Sequence, residues 1–169
     1  MHWNPDIETI DGKVHRDFLR LAYSYAWEHS DDNETKIGAV IVDPVSYETI
    51  AYGTNHFPTG VEPTPKQVQN RDWVIRNIIH AEPSAIFSAA KEGVSTRDRV
   101  MYMPWVPCTS CVNAIADSGI KTLVSHKEMV VKTPKRWWDD LENALELLDK
   151  CGVDEYMYSG KIGGSRIFS

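Results

Sequence analysis

The chain has 169 residues, 42% hydrophobic and 25% charged, which suits one soluble domain over residues 1–169 and excludes collagen-like, low-complexity and disordered classes. No apolar run approaches the roughly 18 residues that cross a bilayer, and Met1 to Asp11 lacks the basic-then-apolar pattern of an export signal, so no membrane partner is expected and the cytoplasm is the expected compartment. The formal net charge of -6 disfavours a nucleic-acid polymer, which is gripped by many lysines and arginines, yet permits a small phosphorylated ligand held by one or two cations and backbone amides.

Between Val14 and His29 the apolar residues Phe18, Leu19, Leu21, Ala22, Tyr25 and Ala26 recur every three or four positions, the spacing of one helix face. Ser30 to Thr35 is polar and turn-like, and Ile37 to Val42 is a short apolar run of the kind that forms a central strand. Asp43 to Tyr47 turns the chain, and Glu48 to Asn55 returns it as a second strand. Gly53 to Gln69, rich in Gly, Pro, Thr and Asn, is expected to be a long surface loop rimming the functional site. A helix over Ala81 to Lys91 ends at Gly93, a strand follows at Arg99 to Met103, and a helix over Thr109 to Ser118 ends at Gly119. Lys121 to Ser125 reads as a strand, Trp137 to Lys150 as an amphipathic helix with Leu141, Ala144, Leu145 and Leu148 inward, and Val153 to Tyr158 as the last strand. Strands alternating with helices specify an α/β fold, a three-layer α/β/α sandwich around a mixed sheet.

Two short motifs stand at predicted helix starts: His80-Ala81-Glu82 and Pro107-Cys108-Thr109-Ser110-Cys111. Residues three apart share a helix face, so Cys108 and Cys111 direct both sulfurs at one point from the first turn. The partial positive charge of a helix N-terminus favours the thiolate, the sulfur form that binds a metal. Pro107 suits that start because its φ is already helical. H-x-E with P-C-x-x-C is the motif pair of zinc nucleobase deaminases. With His80, Cys108 and Cys111 as ligands, zinc keeps one tetrahedral position open, as catalytic sites do, and makes water nucleophilic enough to attack an aromatic carbon bearing an amine. Glu82 stays off the metal and shuttles protons, from the attacking water to the ring nitrogen and on to the departing ammonia. The competing reading, half of a structural zinc site or a redox pair, lacks a second Cys pair and leaves Glu82 without a task.

His2, His15, His29 and His126 lie in surface-like segments and are read as solvated or locally hydrogen-bonded, whereas His56 faces the site from its loop. Lys36, Arg71 and Arg76 are candidate cations for a phosphate, with surface or ion-pair roles as the alternative. Trp105 either lines the base pocket or is a core aromatic. Trp137, Trp138, Tyr156 and Tyr158 read as core or subunit-interface residues, and Cys151 as a small buried hydrophobe.

These residues resemble the deoxycytidylate (dCMP) deaminases of the cytidine deaminase superfamily. The resemblance covers most of the chain: Ser30, Lys36-Ile37-Gly38-Ala39-Val40, the loop Gly53-Thr54-Asn55-His56-Phe57-Pro58-Thr59-Gly60-Val61-Glu62, Asn70-Arg71-Asp72, both motifs above, and Ser118-Gly119-Ile120-Lys121. It implies a five-stranded mixed sheet between helices, one catalytic Zn2+, and conversion of dCMP to dUMP plus ammonia. It also implies that Asn55 bonds the substrate's sugar and that the Ala81 N–H bonds the pyrimidine carbonyl; His56, Trp105, Lys36 and Arg71 complete the candidate substrate contacts. A homo-oligomer, hexamer or dimer, and dCTP and dTTP as allosteric ligands follow by the same resemblance. Thr54, His56, Thr59, Ile75 and Ser84 depart from the family pattern, at positions on the substrate side. The alternatives are a zinc deaminase of another free nucleotide, nucleoside or base, such as dCTP, a modified cytosine or guanine, and a tRNA adenosine deaminase, which the acidic charge opposes.

Overall fold

The apolar run expected as a central strand becomes β2 (Gly38–Val42), buried at every residue. A strand is apolar on both faces when helices cover both. A computed structural model describes residue 3 and residues 5–163, so the expectation for His2 lies outside the described residues. β2 pairs antiparallel with β3 (Thr49–Thr54) on one side and with β4 (Val100–Tyr102) on the other. Beyond β4 the neighbours β5 (Thr122–His126), β6 (Asp154–Tyr158) and β1 (Glu8–Ile10) all run parallel, giving the order β1-β6-β5-β4-β2-β3. The sheet therefore has six strands where five were expected. The extra one, β1, is three residues long with two of them exposed, too short for an alternating pattern to register.

One face of the sheet, with Ala39, Ile41, Met101 and Leu123, packs on α4 (Ala81–Lys91), α5 (Thr109–Asp117) and α7 (Trp138–Cys151). The opposite face, with Val40, Val42, Tyr102 and Val124, packs on Leu19, Ala22 and Tyr23 of α1 (Lys13–His29). This is the α/β/α sandwich. Every element foreseen begins and ends within one residue of its expected position. Two glycines set how closely the layers approach. A Cβ on Gly53 would lie 2.2 Å from the Ala81 carbonyl oxygen, and one on Gly38 would lie 2.0 Å from that of Ala22. The first contact fixes where α4 begins against β3, and so where His80 and Glu82 stand.

The segment expected as an unbroken loop holds two short helices. Thr64 opens α2 (Pro65–Gln69) with a reciprocal capping box, its Oγ1 accepting from Gln67 N at 3.4 Å while Gln67 Oε1 accepts from Thr64 N at 2.8 Å. Asn70 then caps α3 (Arg71–Asn77) by accepting from Trp73 N at 3.1 Å. Thr-Pro-x-Gln is a helix-start pattern, and it prevails over the turn-rich composition around it. A further single turn, α6 (Lys127–Val130), follows β5 directly.

Two other expectations are corrected. His126 is buried, because β5 lies between β4 and β6 and its last residue is still covered. Its Nδ1 lies 2.8 Å from the Tyr23 hydroxyl, and its Nε2 lies 3.0 Å from both the Gly160 carbonyl and the Glu128 carboxylate. Cys151 is exposed, because the buried stripe of α7 ends at Leu148 and the chain turns through left-handed Gly152. No helix among the described residues is long and apolar enough to cross a membrane.

Glu155 on β6 is half-buried as a residue, but among the described residues its Oε2 is sealed without a partner and only the Ser125 hydroxyl approaches Oε1, at 3.5 Å. Burial pushes this carboxyl from its ordinary 4.5 up to about 8. Between those values the folded chain holds a proton that the unfolded chain has released, so stability falls as pH rises across the window. Glu155→Gln removes that slope: its melting temperature exceeds the parent's by about 3 °C or more at pH 8.5 and matches it near pH 4.5, measured by calorimetry.

Candidate active site

His80 and Cys108 occupy equivalent places, each the N-cap of its helix with nearly the same backbone geometry, φ -71° and ψ 161° against φ -70° and ψ 162°. An N-cap side chain ordinarily folds back onto its own helix. Neither does so here. Both are aimed across the gap between α4 and α5 at a shared point, which Cys111 reaches from the first turn of α5.

The three donors fit zinc. Bonds of about 2.3 Å to sulfur and about 2.0 Å to nitrogen at tetrahedral angles separate donor atoms by roughly 3.5–3.8 Å. His80 Nδ1 lies 3.6 Å from Cys108 Sγ and 3.4 Å from Cys111 Sγ, and the sulfurs are 3.5 Å apart. Among the described residues this is the one group of three such side chains close enough to share an ion. The Cys108 thiol is pulled down to about 4, first by its hydrogen bond with Cys111 and then by His80, against the effect of burial. Cys111 is pushed up, chiefly by Cys108 and by burial. The lowered Cys108 thiol favours the thiolate, the form a metal binds.

Because Cys108 turns its side chain toward this point, the start of α5 is capped from elsewhere. Thr109 N donates to Asp140 Oδ2 at 3.1 Å, and the Thr109 hydroxyl donates to the Asp140 carbonyl at 3.0 Å. Asn143 adds a bond to Thr109 Oγ1 at 3.0 Å. Asp140, in the first turn of α7, was not anticipated from sequence. It stands 31 residues from its partner with no motif to mark it.

Glu82 is 5% exposed in the first turn of α4. Burial pushes its carboxyl up, opposed by the charge of His80. Ala81 is fully buried as the first residue of α4, where an N–H has no intrahelical acceptor. Asn55 follows β3, placed beside His80 by the bridge between His56 and Ile79, whose N···O distances are 3.1 and 2.8 Å. Its Nδ2 donates to the Thr35 carbonyl at 2.8 Å, which leaves Oδ1 as a buried acceptor without a partner.

The remaining candidates scatter. His56, with its Nδ1 2.8 Å from the Phe57 carbonyl, lines a groove of about 380 Å³ along the free edge of β3, together with Tyr25, Tyr52, Thr54, Thr59 and Ser84. Four of the five departures from the family pattern therefore share that groove, while Ile75 is exposed on α3. Trp105 is half-buried and packs against the core on the α1 side of the sheet. Lys36 donates to the Trp27 carbonyl at 3.3 Å and lies 5.6 Å from that ring's centroid. Arg71 is engaged by Asp32 at 2.7 Å.

Cys108→Ser or Cys111→Ser lowers bound zinc from about one per chain to a small fraction, read by elemental analysis, and stripping the parent with a chelator lowers its melting temperature. Asp140→Ala costs about 1 kcal/mol through loss of the cap, seen as a fall of about 2–4 °C in melting temperature, while Asp140→Asn, which keeps an acceptor, loses less.

Residues 13–127, which hold both motifs, match the family described as the cytidine and deoxycytidylate deaminase zinc-binding region. The deoxycytidylate deaminase of Enterobacteria phage T2 is 45% identical over 73 residues, 43% of this chain and 38% of that one. The human deoxycytidylate deaminase is 29% identical over 112 residues, 63% of this chain and 61% of that one. The chain thus spans less than two thirds of the length of these relatives. Among solved structures, the dCMP deaminase from the cyanophage S-TIM5 in complex with dCMP and dUMP shares the fold, with a TM-score of 0.67 at 20% identity over 88% of this chain and 98% of that one. With its two helix-borne motifs brought to a single point and the family match spanning both, this chain belongs to the cytidine and deoxycytidylate deaminases that bind zinc.

Proposed function

We propose that this chain converts dCMP to dUMP and ammonia. The observation that carries the reading is a carboxylic acid, Glu82, buried beside a His-Cys-Cys donor set that leaves a fourth position free. A structural metal site has no use for such an acid. When bound, the ion supplies Lewis-acid chemistry that makes water nucleophilic at neutral pH. His80, Cys108 and Cys111 hold it.

The water oxygen bonds to C4 of the cytosine ring and the bond from C4 to the exocyclic nitrogen breaks. Glu82 takes one proton from the attacking water and delivers it to N3 as the ring loses aromaticity, then takes the second from the hydroxyl now on C4 and passes it to the exocyclic nitrogen, which leaves as ammonia as the C4 carbonyl forms. Its raised pKa suits both directions of transfer. The Ala81 N–H donates to the carbonyl at C2. Asn55 Oδ1 accepts from the sugar, whose only free hydroxyl in a 5′-phosphorylated deoxyribose is at C3′. Kinship with deoxycytidylate deaminases supports this choice of substrate. By the same resemblance the enzyme works as a homo-oligomer, hexamer or dimer, with dCTP and dTTP as allosteric ligands, and the sequence pattern favours the cytoplasm. Exposed Phe87 beside the groove at the β3 edge supports a subunit contact there.

Ammonia release from dCMP, dCTP, deoxycytidine, cytosine and guanine ranks the substrates. The expected order places dCMP first, and absence of turnover with dCMP contradicts the choice. Glu82→Gln lowers kcat by about 10³-fold or more while zinc content stays at the parent's level.

A further inference from the structure

Arg71 carries a positive charge near the site, yet its guanidinium faces the protein. Asp32 is 3% exposed, and its Oδ1 accepts from Glu34 N at 2.9 Å, from Thr35 N at 3.0 Å and from Arg71 Nη1 at 2.7 Å. Arg71 Nη2 also donates to Thr35 Oγ1 at 3.3 Å, and its Nε lies 3.7 Å from Glu34. One guanidinium therefore grips both ends of the 32–35 turn. The Thr35 carbonyl, at the end of that turn, accepts from Asn55 Nδ2 at 2.8 Å. That bond engages Nδ2 of the Asn55 carboxamide and leaves Oδ1 as the end without a partner.

We propose that Arg71 is a positioning residue, holding the 32–35 turn so that Asn55 presents Oδ1, and not Nδ2, to the substrate, and thereby setting selectivity for a sugar hydroxyl. A buried amide oxygen without a partner is costly, so the orientation persists only while something else enforces it. Among the described residues, the one bond that holds the Asn55 amide nitrogen comes from Thr35. Released from Arg71, the turn keeps its backbone bonds to Asp32 but loses the cation that balances a buried carboxylate. The carboxamide is then free to rotate and to present a donor to a hydroxyl that itself donates. Lysine does not replace arginine here, because a single ammonium cannot span Asp32 and Thr35 as the planar fork does. The helices α2 and α3 acquire a task in this way: Asn70 caps α3 and delivers Arg71, its first residue, onto the turn.

The selectivity part rests on the dCMP reading; the Asn55 orientation does not. Arg71→Ala and Arg71→Lys are compared with the parent enzyme, zinc-loaded, on dCMP and on 2′,3′-dideoxycytidine 5′-monophosphate, which lacks the 3′-hydroxyl. In the parent, loss of the hydroxyl lowers kcat/KM about 100-fold or more. In Arg71→Ala the two substrates come within about threefold of each other, because only dCMP loses; Arg71→Lys falls between and carries the measurement if the alanine variant does not fold. An equal fall on both substrates, or undiminished selectivity, overturns the proposal. The Asn55 side-chain amide, followed by ¹⁵N NMR without substrate, is expected to shift or broaden in the variants, and an unchanged signal overturns the proposal as well. If the parent fails to turn over dCMP, the substrate reading falls, and the amide signal alone decides the clamp.

Discussion

The site depends on two helix N-termini meeting across a gap of a few ångströms. α4 supplies His80 and Glu82, and α5 supplies Cys108 and Cys111. Their convergence is enforced from behind, by the alanine face of α4 against Gly53 of β3 and by Val112 and Ile115 of α5 in the same core. Helix starts are suited to this because their amide groups favour anions, including thiolates. Placing ligands at N-caps removes the usual side-chain caps. The fold compensates at α5 with Asp140 from α7, so the last helix also holds the site together.

A second constraint is the burial of polar groups around the site. Glu82, Asp32 and Asn55 are each at most 5% exposed. Asp32 Oδ1 accepts within the protein from two backbone amides and Arg71. Asn55 is satisfied on its nitrogen only. Glu82 is set in a desolvated place where its proton is held more tightly than in water. Near the site the unpartnered Asn55 oxygen is set against a paired Asp32 oxygen.

Much of this was legible in the sequence. The two motifs carried their own geometry, since helical spacing brings Cys108 and Cys111 to one face, and the periodic runs placed β2, α1 and α7 within a residue of where they stand. An ion-pair role was among the readings of Arg71, but the partners themselves, far away in the chain, could not be read. Asp140 joins a residue 31 positions off, and Arg71 reaches Asp32 across 39. His126 resembles a surface histidine until β5 is seen between two neighbours with Tyr23 of α1 against its ring. β1 was too short to show a period, and the helices after Thr64 were masked by prolines and polar residues although the capping box was present.

X-ray absorption at the zinc edge tests the central claim most directly. The account predicts a first shell of two sulfurs at about 2.3 Å with one imidazole nitrogen and one further light atom near 2.0 Å. A shell of four sulfurs, a shell of nitrogen and oxygen only, or no zinc in the folded protein would contradict it.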